Sequence, residues 1–230
     1  AQSLNTNPDL KITTFCKNDS LQLLFSIQSS ELVYKRESET GKFYSKLSIQ
    51  YGFQKKANDF NLLGETFLEL KENSQIQPSR IITASVSLFI KPNKSEDLKI
   101  EFFDIHTGKR NTINLNVSTL CNSKSGYKIY NDKQWMANSH LQTGKLYHIE
   151  LADTQLRNMD VQFYSFNQIL PQPADETEIQ QVIESENSQV LASTGGVFTL
   201  NPQHDGIYVL NCKAGNSGMC LYASSHHNLW

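Results

Sequence analysis

The sequence contains no long hydrophobic run and no marked excess of either charge. None of its apolar stretches approaches the roughly 20 residues that a membrane-spanning helix needs, so we expect no transmembrane segment in this chain. Its 21 lysines and arginines stand against 23 aspartates and glutamates, and the lysines are scattered singly. Because proteins that bind nucleic acid neutralise consecutive phosphates with clustered basic residues, this charge pattern predicts no nucleic-acid partner.

Motifs that carry chemistry are also missing from the sequence. The cysteines lack the paired Cys-x-x-Cys spacing of a zinc site, and no phosphate loop or Gly-x-Ser-x-Gly nucleophile motif occurs. We therefore expect no metal, no cofactor and no catalytic residue. The alternative is a hydrolase with a site at the junction of two domains, built from Asp153, Asp160 and His148.

The four cysteines, Cys16, Cys121, Cys212 and Cys220, allow three disulfide pairings. Cys212 and Cys220 flank a turn-rich stretch, residues 214–218, so a hairpin would set these two side chains nearly opposite each other. This spacing makes them the candidate disulfide. The alternative is that both cysteines stay reduced and buried as small apolar side chains.

What the sequence has instead is a succession of short apolar runs with a period of two. The alternation is cleanest from Phe43 to Phe53, where the odd-numbered side chains share one face of a strand. Polar turns such as 106–109 separate the runs, and we expect Asp104 to bond the backbone amides of that turn. The strands are predicted at 10–15, 21–27, 32–34, 43–53, 65–70, 81–90, 98–103 and 113–117. Seven or eight short strands predict an all-β fold, with an immunoglobulin-like sandwich over residues 1–120.

A small polar cluster, residues 122–126, has the composition of a linker and indicates a domain boundary near residue 120. The second domain, residues 121–230, is expected to be β-rich, with strands at 127–130, 146–151, 161–166, 197–200, 207–210 and 220–222. It should also contain one short helix over 176–184. Asp175 can cap the start of this helix, and Ile179, Val182 and Ile183 would lie on one face.

Four aromatic residues near the start of the second domain form the candidate ligand-binding set. They are Trp135, Tyr127, Tyr130 and Tyr147. Exposed aromatic rings on a β scaffold can stack on sugars or anchor a protein partner. The alternative is that these rings fill the seam between the two domains.

Several segments of the sequence carry a distinctive strand pattern. In residues 161–174, Phe163 and Tyr164 precede the proline pair Pro171 and Pro173. This arrangement resembles one strand of the bacterial GWxTD-domain proteins. Gly196-Val197-Phe198-Thr199-Leu200, followed by Asp205-Gly206-Ile207-Tyr208, is similar to a hairpin of the same family, and 218–222 resembles the strand after it. Residues 32–34 and 43–49 resemble its opening strands. The naming motif, Gly-Trp-x-Thr-Asp, does not occur in this sequence.

The resemblance implies the N-terminal part of a longer exported protein of the bacterial cell envelope. Its location would be the periplasm or the outer-membrane surface, with or without a lipid anchor, and the first residue, Ala1, is compatible with processing after export or with a trimmed chain. The resemblance supplies no catalytic residue. Because a sandwich presents rigid loops and edge strands, we expect a non-enzymatic interaction or scaffold region whose partner is an envelope protein or glycan. The alternative function is a carbohydrate-binding or adhesin-like module that uses Trp135 and the nearby tyrosines.

Overall fold

The protein consists of two compact units, Ala1–Ser123 and Lys124–Trp230. The computed structural model describes residues 9–56, 59–73, 80–90, 97–122, 126–132, 134–137, 139–152, 155–166, 186–211 and 218–225. Almost every element in these ranges is a β-strand, so the all-β prediction is confirmed. Within the same ranges, no helix has the length and apolar character that crossing a membrane requires.

The described part of the first unit contains eight strands and one short α-helix. In chain order they are β1 (Lys11–Lys17), β2 (Ser20–Gln28), β3 (Lys35–Arg36), β4 (Phe43–Lys56), β5 (Asp59–Glu72), β6 (Ile81–Phe89), β7 (Asp97–Asp104), β8 (Arg110–Asn116) and α1 (Val117–Asn122). Strands β1, β2 and β6 form one antiparallel sheet. The second sheet has the order β5-β4-β7-β8, with β3 paired to the start of β4.

Alternating side chains of both sheets meet in one apolar core. The fully buried members include Leu21, Leu23 and Phe25 of β2, Leu47 and Ile49 of β4, and Leu98 and Ile100 of β7. Two antiparallel sheets that bury a shared core in this way form a β-sandwich. The period-two alternation in the sequence therefore identifies the buried face of these strands correctly.

A disulfide between Cys16 and Cys121 ties the first strand of this unit to the helix that follows its last strand. The pairing differs from the one expected from the sequence. Cys220 is a free, exposed cysteine, and its partner across the antiparallel ladder is Val209. Cys212 lies outside the described residues. The register of the β16–β17 hairpin therefore sets Val209 opposite Cys220, which is not the pairing that the predicted disulfide required.

The second unit is built from nine described strands. They are β9 (Tyr127–Asn131), β10 (Gln134–Trp135), β11 (His140–Gln142), β12 (Tyr147–Leu151), β13 (Asn158–Ser165), β14 (Asn187–Ala192), β15 (Val197–Leu200), β16 (Gly206–Asn211) and β17 (Gly218–Ser224). One sheet has the order β10-β9-β12-β15 and the other the order β11-β17-β16-β13-β14. All pairs are antiparallel except β11 with β17. The predicted helix over 176–184 lies outside the described residues.

Both sheets of the second unit also share one core. Ile149 and Phe198 from the first sheet are fully buried with Leu210 and Leu221 from the second. The Tyr208 hydroxyl near the start of β16 donates a hydrogen bond of 3.0 Å to the His204 carbonyl oxygen. This contact is the tyrosine corner that recurs in immunoglobulin-like sandwiches. The second unit is therefore a sandwich as well, which is more specific than the β-rich domain expected from the sequence.

The described strands of the two sandwiches have the same order. The short strands β3, β10 and β11 are not part of this shared order. One sheet contains the first, second and fifth of the remaining strands of its unit, which are β1, β2 and β6 in the first unit and β9, β12 and β15 in the second. The other sheet has the order β5-β4-β7-β8 in the first unit and β14-β13-β16-β17 in the second, which is the fourth, third, sixth and seventh strand of each. The chain thus repeats one topology, although its sequence shows no repeat of fixed period.

Candidate functional site

The structure places the four predicted aromatic residues in different environments. Trp135 and Tyr147 are buried, with 7% and 3% of their surface exposed, whereas Tyr127 is 38% exposed. Tyr130 is partly buried. Only Tyr127 and Tyr130 therefore present ring surface to a ligand in this structure.

Two of these residues, Tyr130 and Trp135, come together on the outer face of the β10-β9-β12-β15 sheet. Strand pairing sets Trp135 opposite Tyr130, Tyr130 opposite His148, and His148 opposite Thr199. Residues directly opposite each other in a ladder share a face, and the neighbouring Ile129 is buried in the core. We call these four side chains the outer row.

Rings and polar groups contact one another along the outer row. The Tyr130 and His148 ring centroids are 5.3 Å apart, and Thr199 Oγ1 lies 3.5 Å from His148 Nδ1. The Lys128 ammonium lies 5.7 Å from the Tyr130 ring centroid and 5.1 Å from that of Trp135. A cation at this distance is attracted to the ring face, so Lys128 joins the two aromatic side chains into one group.

Tyr147 has a structural role on the opposite face of the same sheet. Its hydroxyl accepts a 2.7 Å hydrogen bond from the Gln142 backbone amide. Burial raises the pKa of the Tyr147 hydroxyl, and the hydrogen bond with Gln142 acts in the other direction. In the outer row, burial and the negative charge of Glu150 raise the pKa of Tyr130. Both hydroxyls are therefore neutral hydrogen-bonding groups at neutral pH.

The residues of the hydrolase alternative do not converge. Asp160 alternates with the buried Met159 and Val161 on β13, so it lies on the outer face of the second sheet. His148 lies on the outer face of the first sheet, across the core. Asp153 lies outside the described residues. Across the part of the chain that the structure describes, no three His, Cys, Asp or Glu side chains are grouped so that they could hold a metal ion.

Asp104 holds the turn between β7 and β8, as the sequence predicts. Its Oδ1 accepts hydrogen bonds from the backbone amides of His106 at 2.7 Å and Thr107 at 3.0 Å. The carboxylate is buried, with 3% of the residue exposed. His106 Nε2 in turn lies 2.9 Å from the Tyr44 carbonyl oxygen. These two side chains position a loop and do not form a reactive pair.

Sequence reasoning missed a second set of rings, on the outer face of the β5-β4-β7-β8 sheet. Lys46 Nζ lies 3.7 Å from the Phe67 ring centroid, and the Arg110 guanidinium carbon lies 5.1 Å from that of Phe103. Both phenylalanines alternate with buried core residues in their strands. This alternation is the sequence signal from which their position on the outer face of the sheet could have been predicted. A basic side chain covers each ring, and Lys46 also forms an ion pair of 2.6 Å with Glu69, so this face combines apolar area with charges of both signs.

Comparison with known proteins gives this chain no family. No protein-family model matches it, and a search of curated proteins finds no match. The similarity to the GWxTD-domain proteins therefore stays a prediction from the sequence.

Proposed function

We propose that this chain is an exported, non-enzymatic contact region of a bacterial cell-envelope protein, which binds an envelope protein or glycan. The disulfide between Cys16 and Cys121 is the observation that carries the proposal. Disulfides form and persist in oxidising compartments such as the bacterial periplasm, and they are rare in the cytosol. A bond that closes almost the whole first sandwich supports export for this reason.

The arrangement of the polar side chains supports contact in preference to catalysis. Asp104 and His106 hold a turn, and Asp160 and His148 lie on opposite sides of one core. Exposed side chains lie instead on rigid strands. The outer row, with Lys128, offers the partly exposed rings of Tyr130 and His148, hydroxyls and a positive charge on one sheet, which is the mixture that partner-binding surfaces use.

Export can be tested by producing the chain in a bacterial host with and without a signal for secretion. Peptide mapping without reduction should link the Cys16 and Cys121 peptides in the periplasmic protein. The cytosolic protein should carry free thiols at both positions and should unfold at lower temperature. Equal stability of the reduced cytosolic protein would remove the support that the disulfide gives to export.

Contact with the envelope can be tested by sedimentation with an isolated envelope fraction from a bacterium that encodes the chain. We expect saturable binding by the folded protein, and Tyr130→Ala should weaken it by about fivefold or more, as truncation of an aromatic anchor does. Tyr222→Ala is the matched control, because Tyr222 is a 37% exposed tyrosine on the other sheet of the same unit. Non-saturable binding, or equal loss in both variants, would contradict the proposal.

A further inference from the structure

We propose that the second unit binds a neutral sugar ring in a cleft between the edge strand β14 and the loop that follows β15. The cleft has a volume of about 200 Å³. Val161 and Phe163 of β13 form its apolar floor. Polar side chains form its walls, those of residues 187–189 on one side and those of Asn201, Gln203 and His204 on the other. The inference deepens the proposed contact function, since it names a glycan class and a site for it.

Strand register builds the floor and one wall of the cleft. Pairing of β13 with β14 sets Val161 opposite Gln189 and Phe163 opposite Asn187. Because opposite residues in an antiparallel pair share a face, the two amides project beside the two apolar side chains. Among the described residues, none forms a hydrogen bond with the Asn187 or Gln189 side chain, and both residues are exposed. Their donors and acceptors are therefore available to a ligand.

The tyrosine corner fixes the opposite wall. Tyr208 packs on Phe163 with ring centroids 4.9 Å apart, and its hydroxyl bonds the His204 backbone. This contact holds the His204 ring 5.9 Å from the Phe163 ring. Gly206 permits the arrangement, since a Cβ atom at that position would lie 2.6 Å from a Phe163 ring carbon. The floor and this wall are thus pre-organised before any ligand binds.

The chemistry of the lining selects a neutral ligand with many hydroxyl groups. Apart from His204 and Tyr208, none of the nine lining residues is ionisable. Because none of the nine carries a permanent charge, a charged ligand would lose hydration in this cleft without the compensation of a fixed opposite charge, which is unfavourable. An amide side chain offers donors and an acceptor together, so Asn187, Gln189 and Gln203 can satisfy hydroxyl groups that both donate and accept.

Size and the aromatic floor narrow the ligand further. Sites for drug-sized molecules have volumes of roughly 300–1,000 Å³, so a cleft of about 200 Å³ suits one ring and not an extended chain segment. The Phe163 and His204 rings offer apolar surface to the C–H groups of such a ring. A single neutral sugar, free or at the end of a glycan, combines these properties.

The test is an NMR titration of the ¹⁵N-labelled chain with glucose, mannose, galactose and N-acetylglucosamine. Few hydrogen bonds are available, so we expect millimolar affinity, and concentrations on the order of 100 mM should approach saturation. Amide shifts should concentrate at β13, β14 and the loop after β15. The double variant Asn187→Ala/Gln189→Ala should bind about tenfold more weakly, because it loses two hydrogen-bonding groups. Gln134→Ala, at an exposed glutamine of β10, should bind as the unchanged chain does.

Three results would overturn the sugar site. They are no saturable shift with any of the four sugars, equal affinity in the double variant and the unchanged chain, and tighter binding of glucuronate than of glucose. Thermal melting verifies that both variants fold, which is expected because Asn187, Gln189 and Gln134 are exposed. Loss of envelope binding with intact sugar shifts would contradict the proposed contact function and leave the cleft inference standing.

Discussion

Removal of the disulfide between Cys16 and Cys121 should destabilise the first sandwich by several kcal/mol. The bond joins residues 105 positions apart, so it restricts most of the unfolded first unit. In the chain-entropy account, a cross-link around a loop of roughly 100 residues contributes about 4.7 kcal/mol, and native disulfides typically contribute about 2–5 kcal/mol. Since a domain is typically stable by about 5–15 kcal/mol, reduction should remove a large fraction of that stability.

Calorimetry of the oxidised and the reduced chain measures this effect directly. For a unit of this size, 1 kcal/mol corresponds to about 4 °C in Tm, so the transition of the first unit should fall by roughly 10–20 °C. The second unit provides an internal reference, because both tryptophans, Trp135 and Trp230, belong to it. Tryptophan fluorescence should therefore report a transition that reduction leaves in place.

Two variants separate the cross-link from other effects of the thiols. Cys16→Ser/Cys121→Ser should reproduce the effect of reduction, with a small further loss because both sulfurs pack against the core. Cys220→Ser is the matched control, since Cys220 is free and exposed, and its Tm should not change. A fall of less than about 3 °C on reduction, which is under ~1 kcal/mol, would refute the chain-entropy reasoning for this unit.

Three further changes test the local structure. Gly52→Ala should destabilise the first unit by at least about 2 kcal/mol, because the added Cβ would meet the Asn61 backbone at a bulge between β4 and β5. Urea unfolding measures this loss, and an unchanged midpoint would contradict the close approach. Asp104→Ala should lower the free energy of unfolding by about 1–3 kcal/mol, because the two hydrogen bonds to the turn amides are lost. Asp104→Asn keeps an acceptor oxygen and should lower it by less. Equal losses in the two variants would contradict the turn-capping role of Asp104. Burial raises the pKa of Tyr147 and Tyr208 above the ordinary value of 10.0 in the folded protein. Above pH 10 the two hydroxyls therefore lose their protons more readily in the unfolded chain than in the folded one. The free energy of unfolding should thus stay constant below pH 10 and fall above it. The tyrosinate absorbance of these two residues should then rise cooperatively with unfolding. If all nine tyrosines of the chain instead titrated gradually near pH 10 in the folded protein, that result would contradict the burial of Tyr147 and Tyr208.

Period-two alternation was sufficient to predict the long strands but not the short ones. In β4 and β7 the alternate residues are fully buried, so the pattern shows both the strand and its inner face. Strands β10 and β11 contain only two and three residues, which is too short for a visible period. Strand β14 is almost entirely exposed, and its sequence carries no apolar face. Its place at the edge of a sheet is determined by pairing with β13, which is a property of the folded chain.

The disulfide could not be predicted because its two cysteines meet through the topology of the whole unit. Local spacing favoured Cys212 and Cys220, which are eight positions apart, over a pair separated by 105. Pairing of Cys220 with Val209 shows that the local hairpin takes another register. The contact between Cys16 and Cys121 instead requires β1 and α1 to be neighbours, and that follows only when both sheets have formed.

The candidate sites were only partly accessible to sequence reasoning, for the same reason. The aromatic cluster was predicted from proximity in the sequence, but strand alternation sends Tyr147 into the core and Tyr130 to the outer face. The cleft combines side chains of β13, β14 and the loop after β15, which lie far apart in the sequence. The sequence did contain one local signal of this site, which is a glycine two residues before a tyrosine. In the structure, Gly206 leaves room for the Phe163 ring, and the Tyr208 hydroxyl forms the tyrosine corner with His204.

The repeated topology indicates where the specific contacts of this protein should lie. The seven principal strands described in each unit have the same order, so a contact proposed for one unit must depend on its own side chains. The differences are local: the first unit has the disulfide and the basic side chains over Phe67 and Phe103. The second has the outer row and a neutral cleft beside its edge strand. Because a charged apolar face and an uncharged amide-lined cleft suit different partners, variants in one unit should leave the binding of the other unchanged.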